Sequence, residues 1–200
     1  MKKLALTSLL AVFAVSGAHA ATSPYVSAHV GLDSMALKYY NAAETHHGAF
    51  FNDTAYDLSL ASGIKHDLGS AFAVRGELEF DFANGGIFKN EDGAQHFRSY
   101  TALANAYIDM KTASALTPYI GAGLGYQWSY LKDNEEDSFK PHAFAWQVGA
   151  GVSYALCDHM SLDLGYRYLQ SVDKIVDEHE GDKRFATAYH QFRLGAAYAF

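Results

Sequence analysis

Charged side chains recur at every second position in one segment of the chain and reappear in several others. Arg75, Glu77, Glu79 and Asp81 follow this spacing. Because successive side chains of a β-strand point to opposite faces of a sheet, the spacing predicts that these four residues share one face. The same alternation places further charges on equivalent faces: Asp163, Arg167 and Arg193, with Asp33, Asp57, Lys65 and Asp109 nearer the ends of their segments.

Two interpretations of these charges are open if the segments close into a narrow barrel. In the first, Arg167 and Arg193 meet Glu77 and Glu79 in a salt-bridged plug. In the second, the charges line a gated ion path. We favour the plug, because the interior of a small barrel is only just wide enough for side chains and a buried charge is tolerable only when it is paired.

Catalysis by a nucleophile would need a base and an orienting group within hydrogen-bond reach of it. The sequence offers only two fragments of such an arrangement, His29 with Ser27 and His190 with Tyr189. The positions between the charges, which would face outward from a barrel, carry no His-x-Ser pair of the kind that a lipid A deacylase would present. We therefore predict that the protein is not an enzyme and has no catalytic residues.

Candidate metal ligands occur in the connecting segments, but their spacing is not that of a defined site. Zinc sites use spaced ligands, and the run Asp133 to Asp137 lacks the glycine and spacing of a calcium loop. We interpret that run as a solvated acidic loop and predict neither a metal nor another cofactor. The histidines concerned are interpreted as exposed polar residues: His46, His47, His96, His142 and His179.

Apolar residues occupy the positions between the charges, and about eight segments alternate in this way. In the first of them, Val30 and Leu32 alternate with Gly31 and Asp33. The segments run to about ten residues or more, which exceeds the five or six of a typical soluble strand and fits the 9 to 11 that cross a bilayer at a tilt. We therefore predict an all-β fold, an eight-stranded antiparallel transmembrane β-barrel with up-and-down topology.

Aromatic residues border the apolar face, as they do in outer-membrane barrels, where they form girdles at the two membrane interfaces. The residues predicted to form this girdle are Tyr126, Trp128, Tyr130, Phe144, Trp146, Tyr154, Tyr166 and Tyr168. The opposite face of the fifth and sixth segments carries a glycine series that includes Gly121, Gly149 and Gly151. Such glycines make room for bulky inward neighbours such as Tyr119 and the arginines.

The connecting segments alternate between short and long. Those at 66–70, 111–117 and 155–160 are short, whereas those at 38–53, 83–96, 131–141 and 170–185 are long. In outer-membrane barrels the short turns are periplasmic and the long loops are extracellular, so both termini are expected in the periplasm. The eighth strand must pair with the first, because an open edge would leave backbone groups unpaired in hydrocarbon.

The N-terminus has the features of a secretory signal peptide: Lys2 and Lys3, an apolar stretch, and a small-residue site ending at Ala20. We predict a signal peptide at 1–20 and one barrel domain at 21–200. The chain has a formal net charge of −7, which disfavours nucleic acid as a partner. Its one cysteine, Cys157, excludes an intramolecular disulfide.

The last third of the chain resembles the opacity-type outer-membrane proteins, the OmpA-like barrel family that includes neisserial surface protein A. The resemblance lies in the runs at 117–123, 149–155 and 162–168, which are similar to strands of that family. It also includes a terminal strand like the one by which the barrel-assembly machinery recognises its clients, in which the residues concerned are Leu194, Ala196, Tyr198 and Phe200.

This resemblance implies a barrel in the outer membrane of a Gram-negative bacterium. Some members of the family are adhesins for host surface molecules, and their specificity lies in the extracellular loops. We therefore expect a non-enzymatic, monomeric surface protein that presents four loops, contributes to envelope integrity and contacts outer-membrane lipids, lipopolysaccharide and host molecules. The alternative is a narrow porin for small solutes.

Overall fold

The computed structural model describes residues 22–41, 51–69, 71–90, 93–132, 138–139, 142–177 and 181–200. Its side chains are described at 22–34, 54–69, 71–85, 98–130, 143–171 and 187–200. The predicted signal peptide lies outside these residues. The strands are β1 (Thr22–Asn41), β2 (Phe51–Asp67), β3 (Phe72–Asn90), β4 (Gly93–Met110), β5 (Leu116–Lys132), β6 (Ser138–Phe139), β7 (His142–Ala155), β8 (Met160–Asp177) and β9 (Gly181–Ala199).

Eight long antiparallel strands close into a barrel. Each of them pairs with its sequence neighbour, and closure comes from the pairing of β1 with β9. Among the described residues, the two-residue β6 pairs with the end of β5 alone, so it does not count as a ninth strand of the barrel. The predicted eight-stranded, up-and-down β-barrel is therefore confirmed. Among the described residues, no helix has the length and apolarity needed to cross a membrane.

The barrel is staggered. A line of register partners that starts at Arg98 and passes once around the sheet returns to β4 at Ile108. This displacement means that the strands are tilted against the barrel axis. Neighbouring side chains on one strand can therefore lie in different layers of the interior.

The two faces of the sheet differ as the alternation predicts. Outward side chains are apolar and exposed, including Leu58, Leu78 and Leu194, whereas the inward Asp57, Thr101 and Gln191 are buried. This arrangement is the reverse of a soluble β-protein, in which the apolar face forms the core. The sheet therefore requires an apolar surrounding to cover its outer face.

Short turns lie at one end of the barrel, which we call the turn end; the opposite end is the loop end. In the turn between β2 and β3, Gly69 has a φ of 120°, a region that favours glycine. Its N–H donates to Asp67 Oδ1 at 2.9 Å, and Lys111 bonds to the Asp67 carboxylate from the next turn. This bond lowers the pKa of Asp67, which lies beyond the apolar part of the strand.

The strands extend further at the loop end than the sequence indicates. The segment 83–96 is predicted to be a loop, but β3 continues to Asn90 and pairs with β4 from Gly93. The predicted loop at 170–185 is likewise wrong for most of its length, because β8 runs to Asp177 and β9 begins at Gly181. Strand pairing satisfies the backbone donors and acceptors of these polar extensions, so they need no apolar alternation to remain in the sheet.

Replacing an apolar residue in the middle of the outer face distinguishes a lipid-facing surface from a solvated one. Leu60 on β2 and Leu68 in the turn are 61% and 60% exposed. Leu60→Arg should lower the free energy of unfolding by about 2–4 kcal/mol, because a cation would enter hydrocarbon. The control, Leu68→Arg, should change it by less than about 0.5 kcal/mol. Urea unfolding in phospholipid vesicles measures both values, and equal effects would contradict a lipid-facing Leu60.

Candidate functional site: the charged lumen

The middle of the lumen is crossed by two arginines. Arg167 on β8 donates from Nη1 to Glu79 Oε1 at 2.9 Å and from Nη2 to Asp81 Oδ2 at 2.7 Å. Arg193 on β9 lies 2.7 Å from Glu79 Oε1 through Nη2, and its Nε lies 3.4 Å from Asp57 Oδ2. All five side chains are buried. We call this set of five residues the central knot.

The central knot joins opposite walls of the barrel. Strands β3 and β8 face each other across the lumen in the strand order, so the bonds of Arg167 to Glu79 and Asp81 span the interior. Both guanidinium groups share Glu79, and charge-assisted bonds of this kind are roughly twice as strong as neutral ones. The knot therefore fills the interior and ties the two walls together.

Glu77 differs from the prediction, because its carboxylate pairs with neither Arg167 nor Arg193. It accepts hydrogen bonds from Tyr25 Oη at 2.9 Å, from Asn105 Nδ2 at 3.3 Å and from Tyr107 Oη at 3.4 Å. Glu77 lies one inward position closer to the turn end than Glu79, and neutral donors occupy that layer. The stagger of the strands, which the sequence does not reveal, decides this choice of partner.

A second layer closes the turn end of the lumen. The Arg75 guanidinium carbon lies 4.7 Å from the Tyr107 ring centroid and 4.8 Å from that of Tyr119, within the range of cation–π attraction. Its Nε donates to Asp109 Oδ1 at 2.9 Å, and Lys65 Nζ lies 3.0 Å from the other oxygen of Asp109. We call these five residues the arginine–tyrosine cap.

Asp163 connects the cap to the opposite wall. It accepts from Tyr119 Oη at 2.7 Å and from Ser153 Oγ at 3.1 Å, and His29 Nε2 lies 3.5 Å away. Glycine provides the space for the tyrosine: a Cβ at Gly151 would lie 2.4 Å from Tyr119 Oη. The inward glycine therefore has the space-making role that the sequence suggests for it.

Neutral side chains surround Asp33 at the loop end of the lumen, and the sequence did not assign these neutral residues to the interior network. Gln127 Nε2 donates to Tyr189 Oη at 3.3 Å, and Gln191 Nε2 donates to Asp33 Oδ2 at 2.9 Å. Tyr189 also packs with a small apolar cluster that contains Leu103, Ala145 and Leu169. The alternation already placed Gln127 and Gln191 on the inner face, but only the layers show what each amide contacts.

A cavity of about 40 Å³ lies between the central knot and the arginine–tyrosine cap. His29, Glu77, Gln147 and Asp163 line it together with the arginines. A site of this size with polar walls has room for a few water molecules. Side chains of both layers line this cavity, and its small volume means that little free space is left between the two layers.

The two catalytic fragments considered above are arranged differently. His190 and Tyr189 lie on opposite faces: His190 Nδ1 bonds to Tyr166 Oη at 2.6 Å outside, whereas Tyr189 is buried inside. His29 and Ser27 share the inner face, but the hydroxyl of Ser27 has no hydrogen-bond partner among the described residues. Neither fragment assembles a nucleophile with a bonded base.

Within the described residues, no group of three or more His, Cys, Asp or Glu side chains is placed to hold a metal ion. His46, His47, His179 and the acidic run 133–137 lie outside the described residues, as do the side chains of His96 and His142. The absence of a metal site from the protein stays a prediction. Cys157 is exposed in the turn between β7 and β8.

The predicted girdle residues all lie on the outer face. Six of them lie toward the loop end, where Tyr126 contacts Trp128 at 5.4 Å and Trp146 contacts Tyr168 at 5.5 Å between ring centroids. Tyr154 lies at the turn end opposite Leu116, and Tyr166 lies one outward position closer to the turn end than Tyr168. The six are Tyr126, Trp128, Tyr130, Phe144, Trp146 and Tyr168.

The terminal strand presents its predicted recognition residues outward as well. Leu194, Tyr198 and Phe200 are exposed, and the Phe200 N–H donates to the carbonyl of Pro24 at 3.0 Å. Ala196, the fourth of these residues, lies opposite Ala28 on β1. This strand therefore completes the closure of the barrel, and recognition by an assembly machinery stays a prediction.

The sequence of this chain is similar to those of known outer-membrane proteins. The sequence profile described as outer membrane protein beta-barrel domain matches residues 5–200. An uncharacterized protein of Brucella abortus is 42% identical over 154 residues, with 57% of this chain and 54% of the relative covered. Outer membrane protein PagN of Salmonella typhimurium is 32% identical over 120 residues, covering 52% of this chain and 50% of PagN. The chain thus spans about half the length of these curated relatives.

Among solved structures, the crystal structure of neisserial surface protein A is similar with a TM-score of 0.56 and 21% identity. The match covers 90% of this chain and 99% of that protein. At this identity the similarity shows the fold alone. It agrees with the closed eight-stranded sheet described above.

Removing one arginine of the central knot tests its structural role. Arg193→Leu should lower the free energy of unfolding by about 3–5 kcal/mol, because the buried Asp57 carboxylate loses its cation. Adding Asp57→Asn should recover part of the loss, because the uncompensated charge disappears. Urea unfolding in vesicles measures both variants. A loss below about 1 kcal/mol, or no recovery in the double variant, would contradict this role of the knot.

Proposed function

The chain belongs to the outer membrane protein beta-barrel domain family, and from this premise we propose that it is a non-enzymatic surface protein of the outer membrane. In this proposal the barrel is an anchor, and the loop end makes the contacts with host molecules or other surfaces. The protein is exported by the signal peptide at 1–20, inserted by the barrel-assembly machinery as a monomer, and contributes to envelope integrity.

The observation that carries the proposal is the filled lumen. The central knot and the arginine–tyrosine cap occupy successive layers, and the cavity between them has a volume of about 40 Å³. A porin would need a continuous aqueous path, and an eight-stranded barrel whose interior is filled by side chains provides little room for one. This supports an anchor over the narrow porin that the sequence left open.

The strand extensions support a contact role for the loop end. Strands β3 and β4 pair as far as Asn90 and Gly93, beyond the ring layer of Phe82 and Tyr100. Paired extensions of this kind hold connecting segments away from the membrane surface. With short turns in the periplasm and long hairpins outside, the described extensions project toward the exterior.

Conductance distinguishes the anchor from the porin. The unmutated protein in planar lipid bilayers should give no steady, ion-selective current, because the knot and cap obstruct the lumen. Arg193→Leu should also remain silent, since the cap of Arg75 persists. A porin of known conductance, reconstituted in the same bilayers, provides the positive control. A steady current from the unmutated protein would favour the channel.

Replacing a loop tests where binding resides. Exchanging residues 42–50 for a short Gly-Ser linker should abolish the binding of whole cells to a host glycoprotein array, because the contact surface is removed while the barrel remains. The matched control replaces the turn at 156–159 and should leave binding unchanged. Heat-modifiable migration in gels verifies that both variants are folded. Binding that survives the loop exchange, or is lost equally in the control, would contradict this assignment.

A further inference from the structure

The outer face of the barrel carries almost no formal charge. Among the described outward side chains of the strands, the residues are apolar, aromatic or neutral polar, with Arg98 on β4 as the exception. Arg98 is exposed, and Ser99 and Thr101 beside it point into the lumen, where they are buried. A permanent cation on a membrane-facing surface is costly unless it reaches the interface, so the depth of Arg98 in the membrane decides what it can contact.

Arg98 lies at the loop-end border of the aromatic layer. On the same face of β4, the next residue toward the turn end is Tyr100, whose ring centroid is 5.2 Å from Phe82 and 5.8 Å from Tyr130. Aromatic rings of this kind mark the headgroup level of a membrane. A guanidinium one position beyond them is therefore level with lipid headgroups.

The described neighbours of Arg98 are neutral. Its register partners are Asn84 on β3 and Tyr130 on β5, and the Asn84 amide donates to Tyr56 Oη at 2.9 Å. No described carboxylate forms an ion pair with Arg98, in contrast to Arg75, Arg167 and Arg193 inside the barrel. The five N–H donors of an exposed guanidinium match the oxygens of a phosphate, which they can bind in a bidentate manner.

We propose that Arg98, which lies beside Tyr130 in the sheet register, binds the phosphate of a phosphorylated glycolipid in the leaflet at the loop end. The occupant is a membrane lipid headgroup, because the site faces outward on the barrel wall at the ring layer. This inference rests on the proposed orientation, in which the loop end lies in the outer leaflet. The site would fix one lipid against strands β3, β4 and β5.

The experiment titrates the purified full-length barrel in nonionic detergent with diphosphorylated lipid A and counts bound lipids by native mass spectrometry. Arg98→Gln should weaken binding about tenfold to hundredfold, the range expected for hydrogen bonds to a charged group. Arg98→Lys should keep part of the affinity, because the charge remains without the planar fork. Lys111→Gln, which removes a cation from the turn end, is the matched control and should bind as the unmutated protein does.

Two further arms identify the ligand. Dephosphorylated lipid A should bind the unmutated protein and Arg98→Gln equally, and inorganic phosphate should not compete at concentrations similar to those of the lipid. Equal binding of diphosphorylated lipid A by Arg98→Gln and the unmutated protein would overturn the site. An equal loss in Lys111→Gln would also overturn it, since it would show a general effect of charge.

The titration in detergent does not depend on which way the barrel faces in the membrane. Its failure is therefore distinct from failure of the proposed orientation, which labelling of a single cysteine in the loop end on intact cells would show. If loop-end cysteines are unlabelled on intact cells while the lipid A effect persists, Arg98 binds phosphate as proposed. The orientation of the barrel is then wrong, and the site lies in the inner leaflet.

Discussion

The structure depends on the neutralisation of charge inside a lumen that is only just wide enough for side chains to fill. An eight-stranded barrel cannot hydrate its interior freely, so every inward charge must meet a partner across the lumen or on a neighbouring strand. Arg167 and Arg193 meet this requirement by reaching from β8 and β9 to Glu79, Asp81 and Asp57 on β2 and β3. The same contacts that make the interior tolerable also obstruct it.

The layers above and below the central knot follow from the same constraint. Toward the turn end, Arg75 is held by Asp109 and by two tyrosine rings, so that one cation is satisfied by charge and by π faces together. Toward the loop end, amides such as Gln127 replace charges and bond to Tyr189. Because the interior is used for these contacts, the parts of the molecule left to interact with other molecules are the outer wall and the two ends.

The outward side chains of the barrel are almost all uncharged, so the one described charge among them requires an explanation. Leucines and valines cover its middle, rings border it, and Arg98 stands beyond the rings at one end. A membrane-spanning barrel can tolerate such an outward cation only at the interface, where headgroups and water are available. The outer wall of the barrel therefore matches the membrane in polarity along its middle and in the depth at which its one described charge lies.

The sequence by itself determined which side of each strand faces the lumen, because a period of two is a local property that needs no knowledge of neighbours. It indicated the number of long strands, the position of the short turns and the residues that line the interior. It placed the loop-end borders wrongly, since the extension of β3 to Asn90 is polar and is held by pairing with β4. Only the tertiary structure decided which inward side chains contact each other, since Arg167 and Glu79 are 88 residues apart. The stagger of the sheet places Glu79 beside the arginines and Glu77 beside Tyr25. That stagger is a property of the closed barrel, and no single strand contains it.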